Sequence, residues 1–390
     1  MWHAFSLYFW YNSAHMKILL TGGGTGGHVY PLIAVAQEIN KLAEERKLAK
    51  IHLHYFSDAA YDGQAFFEQG VKFTKIPAGK LRLYFSLQNF FDLFKTGFGI
   101  LRAMWQVFTL FPDVVFAKGG YASFPTLMAA KLLGIPVIVH ESDSVPGRVT
   151  KWAGQFAKFI AVSYPESAAF FPSDRVAHIG QPVRPELLHP ETIGAYEYLA
   201  LSHDIPTVFI IGGSTGAVKI NDAVIRALPE LLSRYQVIHQ TGKVNFEEVK
   251  SQTDYLLAEN VNKINYKPYA FLQPLAMRMA AGVSSVVVTR AGSMLFEIAS
   301  WAIPAIVIPI TESQGDHQRK NAYNYARAGA GVVLEESNLT PHLLVSEIDR
   351  IAGSASERIS MKHAAEKFFK PDAARKIAEK VLEIGLSHEK

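Results

Sequence analysis

The stretch MKILLTGGGTGGHVYPLIAVAQEINK, residues 16–41, decides the fold of the first half of the chain. Residues 16–21 are mostly apolar and predict a short buried strand, whereas residues 31–41 repeat apolar side chains at helical spacing. Backbone N–H groups at a helix start lack helical partners and lie at the positive end of the helix dipole, and the intervening glycines let an anion approach closely. The stretch therefore predicts a phosphate-binding turn with His28 beside it.

The same glycines leave an alternative open. Gly22, Gly24 and Gly27 also satisfy the dinucleotide-binding pattern G-x-G-x-x-G, and Asp58 follows the probable second strand as an acidic residue would in a dehydrogenase. His28 could equally be a loop histidine that bonds to backbone. Neither alternative is excluded by this stretch alone.

Composition narrows the class of protein. The chain has 390 residues, of which 49% are hydrophobic and 19% charged, so it is long enough for two globular domains. Because it contains no cysteine, disulfides, thiolate metal sites and a cysteine nucleophile are excluded. No apolar run reaches the roughly 18 to 20 residues that a membrane-spanning helix requires. Residues 1–15 lack Lys and Arg and match neither a secretory signal nor a transit peptide, so we expect an extension that is not native or else a loose interfacial anchor.

The glycine turn has a counterpart later in the chain. VFIIGGSTGAVK at 208–219 repeats the design of KILLTGGGTGGH at 17–28, and a Pro-rich stretch at 180–185 separates the two regions. Strands and helices alternate in both regions, which indicates an α/β fold of two Rossmann-like domains with parallel sheets. We expect an N-terminal domain at 16–182 and a C-terminal domain at 183–372, with the sheets facing across a ligand-binding cleft.

A third glycine turn, KGGYAS at 118–123, follows another predicted strand. Several phosphate-binding turns suit two phosphorylated substrates better than the single dinucleotide of a dehydrogenase. Residues 80–111 interleave Lys80, Arg82, Lys95 and Arg102 with many aromatic side chains, a pattern that can lie on an anionic membrane surface. The alternative for this segment is a long core helix with its lead-in loop.

Seven motifs occur in one order along residues 16–388: TGGGTGGHVYPLIAVA, KGGYASFPTLMAAKLLGIPVIVHESDSVPGR, GQPVR, IIGGSTGAVKIND, HQTGK, TRAGSMLFEIA and GDHQRKNA. In this the chain resembles the MurG family of two-domain, GT-B type glycosyltransferases. The resemblance implies transfer of N-acetylglucosamine (GlcNAc) from UDP-GlcNAc to the C4 hydroxyl of undecaprenyl-diphosphate-linked N-acetylmuramoyl pentapeptide (lipid I). The products would be lipid II, a peptidoglycan precursor, and UDP. It also implies peripheral attachment to the cytoplasmic face of the cell membrane, no cofactor, and no nucleic-acid partner.

The resemblance assigns roles residue by residue. The catalytic positions are His28, Glu141 and Asp143, of which either His28 or Asp143 would be the base. The acceptor-diphosphate positions are Gly23, Gly24, Thr25, Gly26, Gly27, Gly119, Gly120 and Tyr121. The donor positions are Thr25, Gly26, Asp143, Arg184, Ser214, Thr215, Gly216, Asn221, Arg290, Glu297 and Gln318. The C-terminal helix at 373–388 is expected to pack back on the N-terminal domain.

The residue types fit this chemistry independently. Helix-terminal N–H groups with Arg184 or Arg290 can stabilise the leaving diphosphate, and the chain contains no Asp-x-Asp triplet of the kind that holds a metal. Histidine is the side chain whose ordinary pKa suits a base near neutrality. A single displacement then inverts the anomeric carbon. A different acceptor, a UDP-GlcNAc 2-epimerase and a sugar-nucleotide-binding protein without turnover remain alternatives.

Three departures from the family pattern affect the donor positions. Thr215 and His317 stand where the family commonly has glutamine, and the interval from Arg290 to Glu297 is one residue shorter than in many members. The shorter interval departs from the family pattern at the residue to which the resemblance assigns the hydrogen bonds from ribose hydroxyls, Glu297.

Overall fold

The computed structural model describes residues 15–24, 26–48, 50–80, 87–212, 217–311 and 314–387. The chain forms two compact units. Unit 1 comprises the chain up to Arg184 together with the residues from Pro371 onward, and unit 2 comprises Pro185–Lys370. The sequence placed these boundaries at 182–183 and 372–373.

Unit 1 is built on a seven-stranded sheet in which all pairings are parallel. Its strands are β1 (Met16–Thr21), β2 (Ile51–Ser57), β3 (Lys72–Lys75), β4 (Val114–Ala117), β5 (Val137–Glu141), β6 (Phe159–Val162) and β7 (Val176–His178). Their order is β3-β2-β1-β4-β5-β6-β7. The helices between them are α1 (Gly26–Glu45), α2 (Gly63–Glu68), α3 (Leu87–Leu110), α4 (Phe124–Leu132) and α5 (Arg148–Ala153).

Unit 2 repeats this architecture with a six-stranded sheet, again parallel throughout. Its strands are β8 (Thr207–Ile211), β9 (Gln236–Gln240), β10 (Tyr266–Tyr269), β11 (Ser284–Thr289), β12 (Ala305–Val307) and β13 (Gly331–Val333), in the order β10-β9-β8-β11-β12-β13. Its helices are α6 (Ala195–Tyr198), α7 (Val218–Leu231), α8 (Phe246–Leu256), α9 (Pro274–Val283), α10 (Met294–Trp301), α11 (His317–Arg327), α12 (Pro341–Gly353) and α13 (Ala355–Phe368).

The last helix, α14 (Ala373–Ser387), returns to unit 1 and packs on α1. Its apolar stripe, which includes Ile377, Val381 and Leu382, is fully buried in the same core as Ile18 of β1. Gly385 lies so close to β1 that a Cβ there would approach the sulfur of Met16 to 3.1 Å. Burial of the stripe accounts for the amphipathic pattern of this segment.

Strand register places the site-forming loops of each unit on one edge. Thr21 pairs with Ala117 and with Phe56, so β1, β2 and β4 end together. In unit 2, Thr289 pairs with both Ile211 and Val307, so β8, β11 and β12 also end together. Ligands of open α/β sheets bind beyond these carboxyl ends.

The predicted fold class, two α/β domains with parallel sheets, is confirmed. The predicted cleft stays a prediction, and residues 1–14 of the N-terminal extension lie outside the described residues. None of the helices in the described part of the chain combines the length and the hydropathy that crossing a bilayer requires.

Candidate active site

The turn after β1 has a backbone that only glycine adopts easily. Gly23 and Gly24 have φ values of +153° and +94°. A Cβ on Gly23 would lie 2.4 Å from Oγ of Ser57, so a side chain is excluded by space as well as by backbone conformation. The turn leads directly into α1, which begins at Gly26, and it therefore has the strand–turn–helix geometry that the sequence predicted. Thr25 lies outside the described residues.

The turn after β4 lies against the first one. Gly119 and Gly120 have φ values of +73° and +78°, and a Cβ on Gly120 would lie 3.0 Å from the carbonyl oxygen of Gly23. Tyr121 extends from this second turn and donates a hydrogen bond of 2.7 Å to Oδ2 of Asp58. The structure thus brings together the two turns to which the resemblance assigned the acceptor diphosphate.

His28 lies half-buried between the two turns. Its Nδ1 lies 3.1 Å from the carbonyl oxygen of Lys118, and because a carbonyl only accepts, Nδ1 must donate. In the neutral ring the lone pair that can take a proton is then on Nε2. A Cβ on Gly120 would lie 3.7 Å from this Nε2, so the nitrogen faces the second turn. The arrangement suits a base acting beside bound diphosphate.

Glu141 ends β5 and is buried. Its Oε1 accepts a 3.0 Å hydrogen bond from the backbone N–H of Asp143, and its Oε2 accepts one of 3.0 Å from the backbone N–H of Gly147. Burial, reinforced by the charge of Asp143, raises the pKa of Glu141. Both oxygens therefore fix the loop that carries Asp143, whose carbonyl also accepts a hydrogen bond from Ser167.

Lys118 is a site residue that the sequence argument missed. Its side chain is buried and its ammonium donates to Oγ of Ser142, which in turn donates to Oε1 of Gln181 at 2.9 Å. Ser163 donates to the same Gln181 oxygen at 2.9 Å. Burial lowers the pKa of Lys118. This network links the ends of β4, β5 and β6 to the segment that precedes unit 2. The sequence feature that could have indicated Lys118 is a lysine directly after an apolar strand.

His140 belongs to the same buried network. Its Nε2 lies 2.9 Å from the carbonyl oxygen of Gly180, which makes Nε2 the protonated nitrogen. Burial, and then the charge of Lys118, hold the pKa of His140 well below its usual range. His140 is therefore a neutral structural donor that ties β5 to the Gly180 segment.

Arg184, a predicted donor residue, is held by an aromatic ring of α1. Its Cζ lies 3.6 Å from the ring centroid of Tyr30, a cation–π contact. Within the described part of the chain its buried Nε makes no hydrogen bond. The guanidinium is thus oriented by stacking on Tyr30.

The carboxyl edge of the unit 2 sheet gathers charged side chains around Glu336. Arg290 donates to Oε1 of Glu336 at 2.5 Å, and Lys219 donates to Oε2 at 3.0 Å. Thr311 adds a hydroxyl hydrogen bond of 2.9 Å to Oε2. Burial opposes ionisation of Glu336, but the hydrogen bonds from Lys219, Arg290 and Thr311 outweigh it and lower the pKa of Glu336 to about 2. The carboxylate stays charged at neutral pH.

The other predicted donor residues occupy different settings. Asn221 is buried, and its Nδ2 donates a 3.0 Å hydrogen bond to the carbonyl oxygen of Thr241. Its Oδ1 lies 3.1 Å from Nε2 of His239. Gln318 accepts a 3.2 Å hydrogen bond from the N–H of Ile310, and Glu297 is half-buried in the first turn of α10. Ser214, Thr215 and Gly216 lie outside the described residues. No group of three or more metal-ligating side chains forms among the residues that the structure describes.

Comparison with known proteins places the chain in a family. The model of the glycosyltransferase family 28 N-terminal domain matches residues 18–162, and that of the family 28 C-terminal domain matches residues 207–377. A relative from Pediococcus pentosaceus is 33% identical over 364 residues, which are 93% of this chain and 98% of the relative. A relative from Clostridium kluyveri is 34% identical over 353 residues, 90% of this chain and 95% of its own length. Both are named UDP-N-acetylglucosamine–N-acetylmuramyl-(pentapeptide) pyrophosphoryl-undecaprenol N-acetylglucosamine transferase.

The chain belongs to the MurG family of glycosyltransferases. The crystal structure of Acinetobacter baumannii MurG matches it with a TM-score of 0.70 and 24% identity, covering 94% of this chain and 99% of that one. A UDP-GlcNAc 2-epimerase from Neisseria meningitidis, bound to UDP-GlcNAc, matches with a TM-score of 0.66 and 14% identity, covering 94% and 100% of the two chains. At these identities the structural matches establish the shared GT-B fold, whereas the MurG relatives establish the family.

Proposed function

We propose that this MurG-family enzyme transfers GlcNAc from UDP-GlcNAc to the C4 hydroxyl of lipid I, giving lipid II and UDP. The observation that carries the proposal is the placement of His28, whose Nδ1 is bound by the carbonyl of Lys118 and whose Nε2 faces the second glycine turn. This chain aligns with more than 90% of the length of each of the two relatives that are named for this reaction. The assignment therefore concerns the whole enzyme.

The reaction is a single displacement. Nε2 of His28 takes the proton of the acceptor C4 hydroxyl as its oxygen attacks the anomeric carbon of the donor sugar. The bond from that carbon to the diphosphate oxygen breaks, and its electron pair leaves with UDP. Attack opposite the leaving group converts the α-linked donor into a β-linked product.

Unit 1 supplies the acceptor side. The backbone N–H groups of the two glycine turns and of the α1 start favour the acceptor diphosphate, and the buried ammonium of Lys118 adds positive charge behind the second turn. Glu141 holds the loop of Asp143 in shape through two backbone hydrogen bonds. With His28 proposed as the base, we assign Asp143 to the binding of sugar hydroxyls.

Unit 2 supplies the donor side. Arg290 and Lys219 place two cations at the carboxyl edge of the sheet, beside the start of α7, where charge develops on the departing UDP. Arg184, the last residue of unit 1, is assigned to the donor by the family resemblance alone. The mechanism calls for no cofactor.

The outer face of α3 supports attachment to a membrane. The helix buries small residues, Gly99, Ala103 and Val107, and exposes large apolar ones. Phe91 is 70% and Trp105 65% exposed, and the same exposed face includes Phe90, Leu93, Phe94, Phe98, Leu101 and Phe108. An exposed aromatic face of this size is typical of a surface that binds a membrane or another protein.

The basic residues on and near α3 favour a membrane over another protein as the partner of this face. Lys95 and Arg102 are exposed on α3 among these aromatic side chains, and Lys80 lies just before it, whereas Arg82 lies outside the described residues. Basic groups beside an apolar face attract anionic headgroups while the face enters the boundary of the bilayer. The enzyme would then meet its lipid-linked acceptor from the cytoplasmic face.

The decisive assay incubates the purified chain with UDP-GlcNAc and a short-chain analogue of lipid I, and identifies the products by mass spectrometry. The expected result is UDP together with an acceptor heavier by one N-acetylhexosamine, both dependent on the acceptor. Acceptor-independent conversion of UDP-GlcNAc to its C2 epimer, UDP-N-acetylmannosamine, would instead establish a 2-epimerase; NMR spectroscopy detects it, because the two isomers have equal mass. The absence of both reactions would overturn the proposed acceptor.

A further inference from the structure

Four neighbouring strand ends in unit 2 converge on one buried carboxylate. Arg290 directly follows β11, Thr311 lies four residues after β12, and Glu336 lies three residues after β13. Lys219 lies in the first turn of α7, which follows β8. These strands are adjacent in the sheet, so the four side chains meet at the carboxyl edge where an α/β sheet binds its ligand.

Glu336 is saturated by its partners. Its side chain is 5% exposed, and its two oxygens accept hydrogen bonds from Arg290, from Lys219 and from both the hydroxyl and the backbone N–H of Thr311. A buried carboxylate without such partners would be strongly unfavourable. Glu336 therefore fixes the positions of the groups around it and is itself shielded from a ligand.

The two cations differ in exposure. Arg290 is only 12% exposed, and a second hydrogen bond, from its Nη1 to the carbonyl of Ile308 at 3.1 Å, fixes the guanidinium plane. Lys219 is 65% exposed although its ammonium lies 3.0 Å from Glu336. One carboxylate thus aligns two cations, of which Lys219 presents its charge to solvent, and the trio keeps a net positive charge.

We propose that Glu336 is a positioning residue that aligns Arg290 and Lys219 for the diphosphate of the donor, and that Lys219 is a diphosphate-binding residue. The inference rests on one part of the proposed function, namely that unit 2 binds UDP-GlcNAc. Glu336 does not touch the donor. Its effect is to spare the donor the entropic cost of ordering two long cationic side chains.

The test compares UDP with uridine, which lacks the diphosphate. Isothermal titration calorimetry on Glu336→Gln should show UDP binding weakened roughly tenfold and uridine binding changed less than about twofold, since only the phosphate contacts lose alignment. In steady-state assays KM for UDP-GlcNAc should rise about tenfold, with kcat changed less than about threefold. The matched control is the neighbouring Glu335→Gln, because Glu335 pairs with Arg319 and Tyr323 and should leave both ligands unaffected.

A second variant keeps the test decisive if Glu336→Gln fails to fold. Lys219→Met changes an exposed side chain and should also weaken UDP roughly fivefold while sparing uridine. Unchanged or tighter UDP binding in both variants would overturn the inference, as would equal weakening of UDP and uridine. Wild-type protein that binds no UDP would instead overturn the donor assignment itself, so the two failures are distinguishable.

Discussion

The two sheet edges share an architecture but arrange their buried charges differently. At the edge of unit 1 a buried cation, Lys118, donates to Ser142, and the nearby buried carboxyl of Glu141 favours its charged form. At the edge of unit 2 an anion, Glu336, is enclosed by Arg290 and Lys219. In both cases the buried group holds neighbouring side chains at the carboxyl edge of its sheet.

Under the proposed function, this difference corresponds to a division of work between the two units. Under the proposed function, unit 1 orients His28 so that Nε2 faces the second glycine turn, which suits removal of a proton from the acceptor. Unit 2 arranges cationic side chains, which suits holding a leaving diphosphate. Variants of unit 1 should therefore affect turnover, and variants of unit 2 should affect donor affinity.

The largest expected effect is on His28. His28→Ala removes the base, so kcat should fall by about 100-fold or more, while the Kd for UDP changes less than about twofold. Kinetics of UDP release and calorimetry with UDP measure the two quantities. The exposed His363→Ala serves as the control. Turnover at the wild-type level in His28→Ala would remove His28 from the mechanism and with it the division between units.

The basic residues around α3 come next. Replacing Lys80, Arg82, Lys95 and Arg102 together by Gln should weaken binding to anionic phosphatidylglycerol vesicles roughly 50-fold. This is about 0.6 kcal/mol per residue, below the ~1 kcal/mol expected close to such a surface, because salt screens exposed charges. Sedimentation with vesicles measures this. The control neutralises four exposed lysines of unit 2: Lys243, Lys250, Lys263 and Lys362. If both quadruple variants bind alike, the interaction follows net charge and α3 is no specific membrane surface.

Lys118→Met should have a smaller effect on turnover. Methionine preserves most of the volume of the lysine side chain but cannot donate a hydrogen bond to Ser142. The backbone of residue 118, whose carbonyl accepts the hydrogen bond from His28, is then held less firmly. We expect kcat to fall roughly tenfold with the Kd for UDP unchanged. Lys131→Met, an exposed substitution, is the control. A rise in the Kd for UDP without loss of kcat would contradict the assignment of Lys118 to the acceptor side.

The smallest expected effect is a change in the pH dependence of stability. The folded pKa of Glu336, about 2, lies below its ordinary value of 4.5, so its contribution to stability is present above pH 4.5 and is lost as the pH falls toward 2. Glu336→Gln should therefore lower Tm by roughly 2–6 °C at pH 7, and the difference from wild type should shrink at pH 3. Calorimetry at both pH values measures it. A Tm difference that is the same or larger at pH 3 would contradict an ionised, stabilising Glu336.

The sequence predicted the local features of both edges but not their buried partners. Glycine turns, the following helices and His28 are contiguous in the chain, so spacing alone revealed them. Lys118 meets Ser142 across 24 residues, and Lys219 meets Glu336 across 117. Nothing local marks these pairs, because strand order and register bring them together. Strand order likewise brings Asn221, whose assignment to the donor stays a prediction, against Thr241 and His239.

The most direct test of the account is a titration of UDP-GlcNAc at saturating acceptor in wild type, His28→Ala and Glu336→Gln, measured side by side. The account predicts that His28→Ala lowers kcat with little change in KM, and that Glu336→Gln raises KM with little change in kcat. Changes in the same kinetic parameter in both variants would contradict the division of base and donor binding between the two units.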